Sequence, residues 1–348
     1  MAEIKIGSHL IGPGNASFVI AEAGVNHNGD LDLGRELVRA AASAGANAVK
    51  FQTFSAERLV TATAPKAAYQ VERTDPTESQ QSMLKHLELG TREHHELMNE
   101  CARSGILFLS SAFDEQSADL LEALGVVAYK IPSGEITNLP YLRHLAKKGR
   151  CLMVSTGMSD MDEVTTAVAA IRDAAEVPIV LLHCVSLYPA AAAGTNLLAM
   201  DTMRAAFGVP VGYSDHTEGI AVALAAVALG ADVIEKHLTI DLGLPGPDHA
   251  ASLEPGEFRT MVAGIRDVAA ARGDGVKRPL PEEAETAAVA RKSVVAAVEI
   301  PAGMVIRREM LTVKRPGTGM PPSRLESLVG RKARTAIEAG SLITPEML

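Results

Sequence analysis

The sequence contains no tryptophan, and aromatic residues make up only 3% of its 348 residues. Proteins that bind single-stranded nucleic acids stack bases on aromatic side chains, and nucleic-acid-binding proteins in general carry an excess of positive charge. The formal net charge of -9 is the opposite of that excess. We therefore expect no nucleic-acid partner, whereas a small anionic substrate in a locally basic pocket remains compatible with this composition.

Cysteines and long apolar runs are also scarce. The three cysteines (Cys101, Cys151 and Cys184) are odd in number and far apart, which is typical of reduced thiols in a cytoplasmic protein and not of a disulfide framework. The first residues lack the basic start and apolar run of a signal peptide, and no apolar run approaches the roughly 18 residues of a membrane span. These absences predict a cytoplasmic protein that has no membrane partner.

Eight short apolar runs, most of them followed by a segment of helical period, dominate the first 270 residues. They are "FVIAEAG", "AVKFQT", "ILFLSSA", "VAYKIPS", "CLMVSTG", "IVLLHCV", "VPVGYSD" and "VIEKHLT". Strand-helix alternation with nearly continuous apolar strands indicates a parallel sheet covered by helices. Eight such units in about 250 residues predict an α/β fold of the (β/α)8 TIM-barrel class. A doubly wound open sheet is the alternative, but no Gly-x-Gly-x-x-Gly turn follows the first run.

The chain is predicted to contain two domains. The barrel domain occupies residues 1–270 and begins with a hairpin that caps its lower end. Residues 55–90 form a connection so long that it is either a lid over the active site or disordered. A linker rich in Gly, Pro and charge covers 271–290, and a small β-rich domain covers 291–348. That domain contains the internal repeat "IPAGMVIRREML" and "IEAGSLITPEML", which predicts two similar hairpin-and-turn units.

Polar side chains follow nearly every predicted barrel strand, and barrel active sites lie at the carboxyl ends of the strands. Two lysines, Lys50 and Lys130, together with strand-end serines provide the cations and donors that a buried phosphate or carboxylate needs. For either lysine alone, a structural ion pair is an equally good interpretation. Jointly they predict an anion pocket, whose predicted serines are Ser111, Ser133, Ser155 and Ser214.

Two histidines, His216 and His237, end the seventh and eighth strands. Neighbouring strands lie about 4.8 Å apart, so both imidazoles can reach one metal ion. A histidine bonded to a backbone carbonyl is the alternative for either residue alone. Glu22 and Glu135 are candidates for acid-base chemistry or for binding sugar hydroxyls. Asp248 follows "GLPGP", which either holds it over the pocket or forms a plain turn.

The motifs "AEAGVNHNGD", "KFQT", "YKIPSGE", "STGM", "HCVSLYP", "YSDHT", "EKHLT", "PGPDHAASLEP" and "KRPGTGM" together resemble the sialic acid (N-acetylneuraminate) synthase family over essentially the whole chain. The resemblance implies an enzyme that condenses phosphoenolpyruvate with an N-acetylated mannose-type sugar and releases phosphate by C–O cleavage. It also implies a (β/α)8 barrel followed by an antifreeze-like (β-clip) domain.

The resemblance further implies site residues. His216 and His237 would bind a divalent metal ion. Mn²⁺ is the expected metal, and Mg²⁺ and Co²⁺ are the alternatives. Glu22 would handle a proton, and Glu235 would steady a metal-bound water or a neighbouring ligand. In a domain-swapped homodimer, Arg315 would reach the partner's sugar. The implied phosphoenolpyruvate pocket is Lys50, Ser111, Lys130, Ser133, Ser155, Ser186 and Ser214, and the implied sugar contacts are Gln52, Glu135, Tyr188 and Asp248.

The expected reaction is formation of N-acetylneuraminate from N-acetylmannosamine. The alternative is a legionaminic acid synthase that uses 2,4-diacetamido-2,4,6-trideoxymannose, and a pseudaminic acid synthase is a third possibility because relatives of all three types keep the same pocket. The loop "PGPDHAASLEP" resembles the sialic and legionaminic branches more than the pseudaminic one. Two rival classes are a metal-dependent barrel hydrolase and a carbohydrate- or ice-binding protein with an inert barrel.

Overall fold

A computed structural model describes residues 3–348, and its contacts divide the chain into two compact units, Met1–Gly273 and Asp274–Leu348. The first unit opens with an antiparallel hairpin of β1 (Ile4–Ile6) and β2 (His9–Ile11). The finer limits expected from the sequence, with a linker over 271–290, stay a prediction.

Eight parallel strands of the first unit close into a barrel in which each strand pairs with the next and the last pairs with the first, so the predicted fold class is confirmed. The strands are β3 (Phe18–Gly24), β4 (Ala48–Thr53), β5 (Leu107–Ala112), β6 (Ala128–Ile131), β7 (Cys151–Ser155), β8 (Ile179–Cys184), β9 (Val211–Asp215) and β10 (Val233–His237).

Helices surround the barrel and connect its strands. They are α1 (Leu31–Ser43), α2 (Ala56–Leu59), α3 (Ala68–Arg73), α4 (Gln80–His86), α5 (Thr91–Ser104), α6 (Glu115–Ala123), α7 (Leu139–Ala146), α8 (Met161–Ala174), α9 (Ala199–Phe207), α10 (Ala221–Ala228) and α11 (Pro255–Arg272), and α12 (Glu283–Ala290) lies in the second unit. None of the helices in the described part of the chain has the length and apolar character needed to cross a membrane.

Local sequence explains where the helices begin and end. Asp30 accepts hydrogen bonds from the first backbone N–H groups of α1, and Asp160 forms a capping box with Glu163 at the start of α8. Gly105 and Gly208 end α5 and α9 in the left-handed conformation that glycine adopts without a steric penalty. The turns between strands and helices are therefore fixed by short-range chemistry.

The interior of the barrel is apolar at the amino ends of the strands. Ile20, Leu109 and Leu182 pack there, and Ile6 and Ile11 of the hairpin join the same fully buried cluster. Burying a side chain of this size stabilises the fold by about 1.5–3 kcal/mol. The hairpin thus packs over the lower end of the barrel, as predicted, and the polar residues of each strand are left at the carboxyl end.

The second unit pairs β11 (Ser293–Ala296) with β12 (Leu311–Lys314) in antiparallel fashion. The two copies of the internal repeat meet directly: Ile300 and Ile337, their first residues, exchange backbone hydrogen bonds of 2.9 Å each. Ile306 and Ile343, the equivalent later positions, are both fully buried. This small β-rich unit agrees with the predicted antifreeze-like class.

Candidate active site

A cavity of about 460 Å³ opens at the carboxyl ends of the barrel strands. Fourteen of the sixteen site residues predicted from the sequence line it. They are Glu22, Lys50, Gln52, Ser111, Lys130, Ser133, Ser155, Ser186, Tyr188, Ser214, His216, Glu235, His237 and Asp248. The structure therefore brings together residues that lie on or just after all eight barrel strands.

Two lysines and two glutamates form a buried network at the floor of this cavity. Lys50 Nζ lies 3.0 Å from Glu22 Oε2 and 3.5 Å from Glu235 Oε2, and it donates to Ser111 Oγ at 2.9 Å. Lys130 Nζ lies 3.4 Å from Glu235 Oε1. All four charged side chains are almost inaccessible to solvent, so each needs a partner or a bound ion to offset the loss of hydration.

The two glutamates differ in their surroundings and therefore in their protonation. Burial raises the pKa of Glu22, and Lys50 opposes this only in part. Burial acts in the same direction on Glu235, but Lys130 and Lys50 together, with a 2.9 Å hydrogen bond donated by Ser214 Oγ, hold its pKa below the usual range. A pair of carboxyl groups whose pKa values are pushed apart is suited to divided roles, with one holding a proton and the other staying ionised.

The two histidines lie side by side, with ring centroids 5.6 Å apart. His216 Nδ1 donates to the carbonyl of Val185 at 2.7 Å. Because a carbonyl only accepts, the proton of the neutral ring must lie on Nδ1, and Nε2 therefore keeps its lone pair. Tyr188 packs against His216 at a centroid distance of 4.2 Å. Nδ1 of the buried His237 has no hydrogen-bond partner among the described residues.

These observations fit a metal ligand pair. A metal-binding histidine usually donates its second N–H to a carbonyl or carboxylate, as His216 does, and the unpartnered nitrogen of His237 is a polar atom whose burial otherwise carries a cost. Within residues 3–348, no group of three or more His, Cys, Asp or Glu side chains has metal-binding geometry. A metal held by the two histidines would therefore keep positions open for water or substrate.

Lys236 lies on the opposite side of β10 from its two titratable neighbours, Glu235 and His237. Its Nζ donates to Asp215 Oδ2 at 2.9 Å and to the carbonyl of Thr217, and both members of the ion pair are fully buried. Asp215 Oδ1 in turn accepts from the backbone and hydroxyl of Thr217. This pair connects β9 to β10 outside the cavity and fixes the backbone on both sides of His216.

The loop after β10 places Asp248 beside the histidines, with Oδ2 4.0 Å from His237 Nδ1. His249 is tied to Thr239 Oγ1 at 2.7 Å and to Asn28 Oδ1 at 3.2 Å, and Asn28 Nδ2 donates to the carbonyl of Pro245. Burial raises the pKa of Asp248 to about 6, with Lys50 acting in the opposite direction. The loop thus places Asp248 at the cavity, which agrees with the first of the two interpretations of "GLPGP".

The long connection over 55–90, which we call the lid, contributes a second wall to the cavity. The sequence identified this connection but none of its individual cavity residues. They are Leu59, Val60, Ala67, Tyr69, Gln70, Gln80, Met83, Leu84 and Leu87. Tyr69 packs on Tyr188 at a centroid distance of 5.2 Å, which links the lid to the residues around His216. The length of the connection was the only signal that pointed to them.

Two predicted site residues are not brought to the cavity. Glu135 ends a 3-10 turn after β6, and its carboxylate accepts a hydrogen bond from Asn138 Nδ2 at 2.8 Å. Arg315 belongs to the second unit, where its Nε donates to the carbonyl of Ala290. Their contacts with a sugar stay predictions.

A closed barrel whose carboxyl end holds lysines, hydroxyls and a histidine pair has the arrangement of a barrel enzyme. The chain belongs to the NeuB family, whose model matches residues 37–277, and a SAF domain model matches residues 291–348. Enzymes of this family are metal-dependent synthases that use phosphoenolpyruvate to make sugar acids, and this chain is an enzyme of that type. This membership excludes the hydrolase and the inert-barrel alternatives.

Relatives and solved structures agree with this assignment. The chain is 48% identical to an N,N'-diacetyllegionaminic acid synthase of Legionella pneumophila (94% of this chain, 93% of the relative) and 45% identical to one of Campylobacter jejuni (94% and 98%). It is 37% identical to the human N-acetylneuraminate-9-phosphate synthase (97% and 94%). The chain also resembles the crystal structure of an N-acetylneuraminic acid synthetase from Leptospira borgpetersenii, with 36% sequence identity and a TM-score of 0.73. The match covers 82% of this chain and 95% of the Leptospira chain.

Proposed function

We propose that this enzyme condenses phosphoenolpyruvate with 2,4-diacetamido-2,4,6-trideoxymannose to give N,N'-diacetyllegionaminic acid and phosphate. The observation that carries this choice is the 48% and 45% identity to two N,N'-diacetyllegionaminic acid synthases, against 37% to the human N-acetylneuraminate-9-phosphate synthase. The sequence alone favoured N-acetylmannosamine as the sugar and gave the 2,4-diacetamido sugar as the alternative. The comparisons support the alternative better. Pseudaminic acid synthases, at 33% and 32%, are more distant.

Phosphoenolpyruvate is assigned to the lysine-rich floor of the cavity. Its carboxylate and phosphate carry negative charge that Lys50 and Lys130 can neutralise, and the surrounding hydroxyls can donate to its oxygens without adding charge. The hydroxyls proposed for this role are those of Ser111, Ser133, Ser155, Ser186 and Ser214. Burial lowers the pKa of Lys130, and a bound anion would offset that effect by favouring the charged form.

His216 and His237 would hold the divalent metal, which we propose to be Mn²⁺. When bound, the metal supplies Lewis-acid polarisation of the open-chain sugar's carbonyl group. Gln52, Tyr188 and Asp248 line the same cavity and are proposed to orient the sugar. Carbon 3 of phosphoenolpyruvate then forms a bond with the aldehyde carbon, water adds at carbon 2, and phosphate leaves with the oxygen that joined it to carbon 2.

Glu22 is proposed to move the proton in this sequence. The aldehyde oxygen gains a proton when the new C–C bond forms, and the attacking water loses one, so a single carboxyl group can serve both steps. Burial raises the pKa of Glu22 to about 7, so it can both hold and release a proton near neutral pH, and Gln52 Nε2 donates to Glu22 Oε1 at 3.2 Å and orients it. Glu235, ionised between two lysines, is proposed to hold them in place.

Family resemblance also supports a domain-swapped homodimer in which Arg315 contacts the partner's sugar, and a cytoplasmic location; both are kept as proposals. The dimer has a direct test. Mixing an Arg315→Ala protein with a His237→Ala protein should restore part of the activity if each site combines residues of two chains. Failure to restore activity after subunit exchange has been demonstrated would contradict the shared site.

The substrate is tested by phosphate release from phosphoenolpyruvate with Mn²⁺ and either of the two sugars. We expect faster release with the 2,4-diacetamido sugar. Faster release with N-acetylmannosamine would reassign the enzyme to N-acetylneuraminate formation. No release with either sugar, with bound metal verified, would count against the condensation itself.

A further inference from the structure

The turn after β3 reaches across the rim of the barrel to the loop after β10. Strands β3 and β10 are hydrogen-bonded neighbours in the closed barrel, so the turn and the loop lie at the same edge of the cavity. We call residues 242–252 the Asp248 loop. Two asparagines of the turn, Asn26 and Asn28, donate hydrogen bonds to this loop, although neither lines the cavity. Any effect of these asparagines on a substrate must therefore pass through the loop.

Asn28 binds the Asp248 loop on both sides of Asp248. Its Nδ2 donates to the carbonyl of Pro245 at 2.8 Å. Because a carbonyl only accepts, the other end of the amide, Oδ1, must face His249, whose Nε2 donates to it at 3.2 Å. Gly246 passes directly against this contact, since a Cβ there would lie 2.8 Å from Asn28 Oδ1. One side chain thus joins the residues that precede Asp248 to the residue that follows it.

Asn26 holds the end of the same loop from inside the fold. Its Nδ2 donates to the carbonyl of Leu238 and to Ser252 Oγ at 2.9 Å each, and Ser252 Oγ donates to the carbonyl of Asp248 at 2.8 Å. Asn26 is 1% exposed, and its Oδ1 has no hydrogen-bond partner among residues 3–348. An unpartnered buried acceptor carries a free-energy penalty, so the amide is oriented by the two bonds that it donates.

The carboxylate of Asp248 depends on the loop for its position. It faces the cavity, and no hydrogen bond joins it to another residue in the described part of the chain. A group that orients a substrate must be held within about 0.5 Å of its productive position. Because Asn28 joins the chain on both sides of Asp248, it restricts where this carboxylate can lie.

We propose that Asn28 is a positioning residue for the sugar, which acts by holding the Asp248 carboxylate at the sugar's place in the cavity. This inference rests on the proposed function, which assigns Asp248 to the sugar, and it extends that function to a residue outside the cavity. Phosphoenolpyruvate is assigned to Lys50 and Lys130 at the floor. Loss of the Asn28 side chain should therefore weaken the binding of the sugar and not that of phosphoenolpyruvate.

The test compares Asn28→Gly with Asn196→Gly. Asn28 has φ +50° and Asn196 has φ +44°, so glycine fits either backbone without strain and removes only the side chain. Asn196 is the matched control because it is exposed in the loop after β8 and does not line the cavity. The readouts are KM for phosphoenolpyruvate, KM for whichever candidate sugar wild type prefers, and deuterium uptake by residues 242–252. Melting temperatures verify folding.

We expect Asn28→Gly to raise KM for the sugar by about tenfold and to change KM for phosphoenolpyruvate by less than about twofold, since a displacement of about 1 Å can cost about 100-fold. The effect should stay below that limit because Thr239 still holds His249. Deuterium uptake over 242–252 should become faster. Asn196→Gly should match wild type in all three readouts.

The double variant Asn28→Gly/Asp248→Ala shows whether Asn28 acts through Asp248. If it does, Asn28→Gly should change KM for the sugar by less than about twofold once the carboxylate is absent. A full effect in that background, an equal rise in both KM values, or wild-type KM values in Asn28→Gly would overturn the inference and leave the proposed function standing. If Asp248→Ala alone kept the wild-type KM for the sugar, the assignment of Asp248 and the inference would both fail. If wild type used neither sugar, the proposed condensation would fail and the inference with it.

Discussion

Individual buried lysines have different roles in this barrel. Lys50 and Lys130 face the cavity and share the carboxylates of Glu22 and Glu235, so an incoming anion can compete for them. Lys236 is fully buried on the other face of the sheet and is bound by Asp215 and by the carbonyl of Thr217. Of the three consecutive titratable residues that end β10, Glu235 and His237 therefore face the cavity, whereas Lys236 has a structural role.

Replacing Lys236 by methionine should destabilise the fold by about 3–5 kcal/mol, because Asp215 would remain as an uncompensated buried charge. The free energy of unfolding in urea measures the effect. The double variant Lys236→Met/Asp215→Asn should recover much of the loss. Lys85→Met is the control, since Lys85 is 55% exposed at its side chain and its ion pair is expected to contribute less than about 1 kcal/mol. Equal stability of Lys236→Met and wild type would contradict a structural role for the pair.

Alanine at His216 or at His237 should weaken Mn²⁺ binding to the metal-stripped protein by more than about 100-fold, because loss of even an indirect partner of a metal ligand costs 10–100-fold. Titration followed by the Mn²⁺ electron paramagnetic resonance signal measures this without reference to activity. His183→Ala is the matched control: His183 belongs to the neighbouring β8, bonds the carbonyl of Thr195, and does not line the cavity. If both single variants bound Mn²⁺ with wild-type affinity, the assignment of the metal to His216 and His237 would be wrong.

At the scale of secondary structure elements, strands were predicted well and connections poorly. The barrel strands are short apolar runs whose pattern depends only on burial. In contrast, α2, α3 and α4 of the lid have four, six and seven residues, too few for a helical period to be recognised. Glu135 illustrates the same limit, since the turn over Ser133–Glu135 directs its carboxylate to Asn138, and nothing in a strand-end pattern reveals that turn.

The lid has an ion pair of its own, between the buried side chain of Lys66 and the partly exposed side chain of Glu78. Lys66, with 4% of its side chain exposed, donates to Thr74 Oγ1 at 2.9 Å and to the carbonyl of Asp75, and it lies 3.1 Å from Glu78 Oε1. Lys66→Met should loosen the lid while the barrel remains intact, because local opening needs less free energy than global unfolding. Trypsin cleavage after Arg73 should accelerate roughly tenfold for each 1.4 kcal/mol by which the free energy of lid opening falls. The melting temperature should not change, because the barrel stays folded. Lys85→Met is again the control, and unchanged cleavage in Lys66→Met would show that the pair does not hold the lid.

At the scale of the whole molecule, the fold was predictable because each barrel strand repeats the same arrangement. Apolar residues such as Ile20 and Leu182 fill the lower interior, so the polar residues that end the same strands must meet at the upper rim. That geometric argument, together with the family resemblance, predicted fourteen residues that line the cavity without any three-dimensional information. It did not predict the second wall of the cavity, because the lid packs there through tertiary contacts that no repeated pattern encodes.

Acid stability of the barrel should depend on His27, which is completely buried after β3. Its Nδ1 accepts from the N–H of Gly29 at 3.0 Å, and its ring packs 6.1 Å from that of Phe51. Burial, reinforced by His94, lowers the pKa of His27 to about 4 from its usual 6.5, with Asp30 acting in the opposite direction. The unfolded chain therefore binds a proton in a pH range where the folded protein does not.

The sign of the pH effect follows from this difference. Above pH 6.5 the stabilising contribution of neutral His27 is complete, and it is lost as the pH falls from about 6.5 to about 4. At pH 5 the loss is on the order of 2 kcal/mol, since each pH unit in this range costs about 1.4 kcal/mol. His27→Asn keeps an acceptor for Gly29 but cannot take up a proton, so its free energy of unfolding should fall less than that of wild type between pH 7.5 and pH 5. His86→Asn, at a residue whose side chain is 76% exposed, should keep the wild-type slope. Parallel curves for His27→Asn and wild type would mean that other groups cause the acid sensitivity of the barrel.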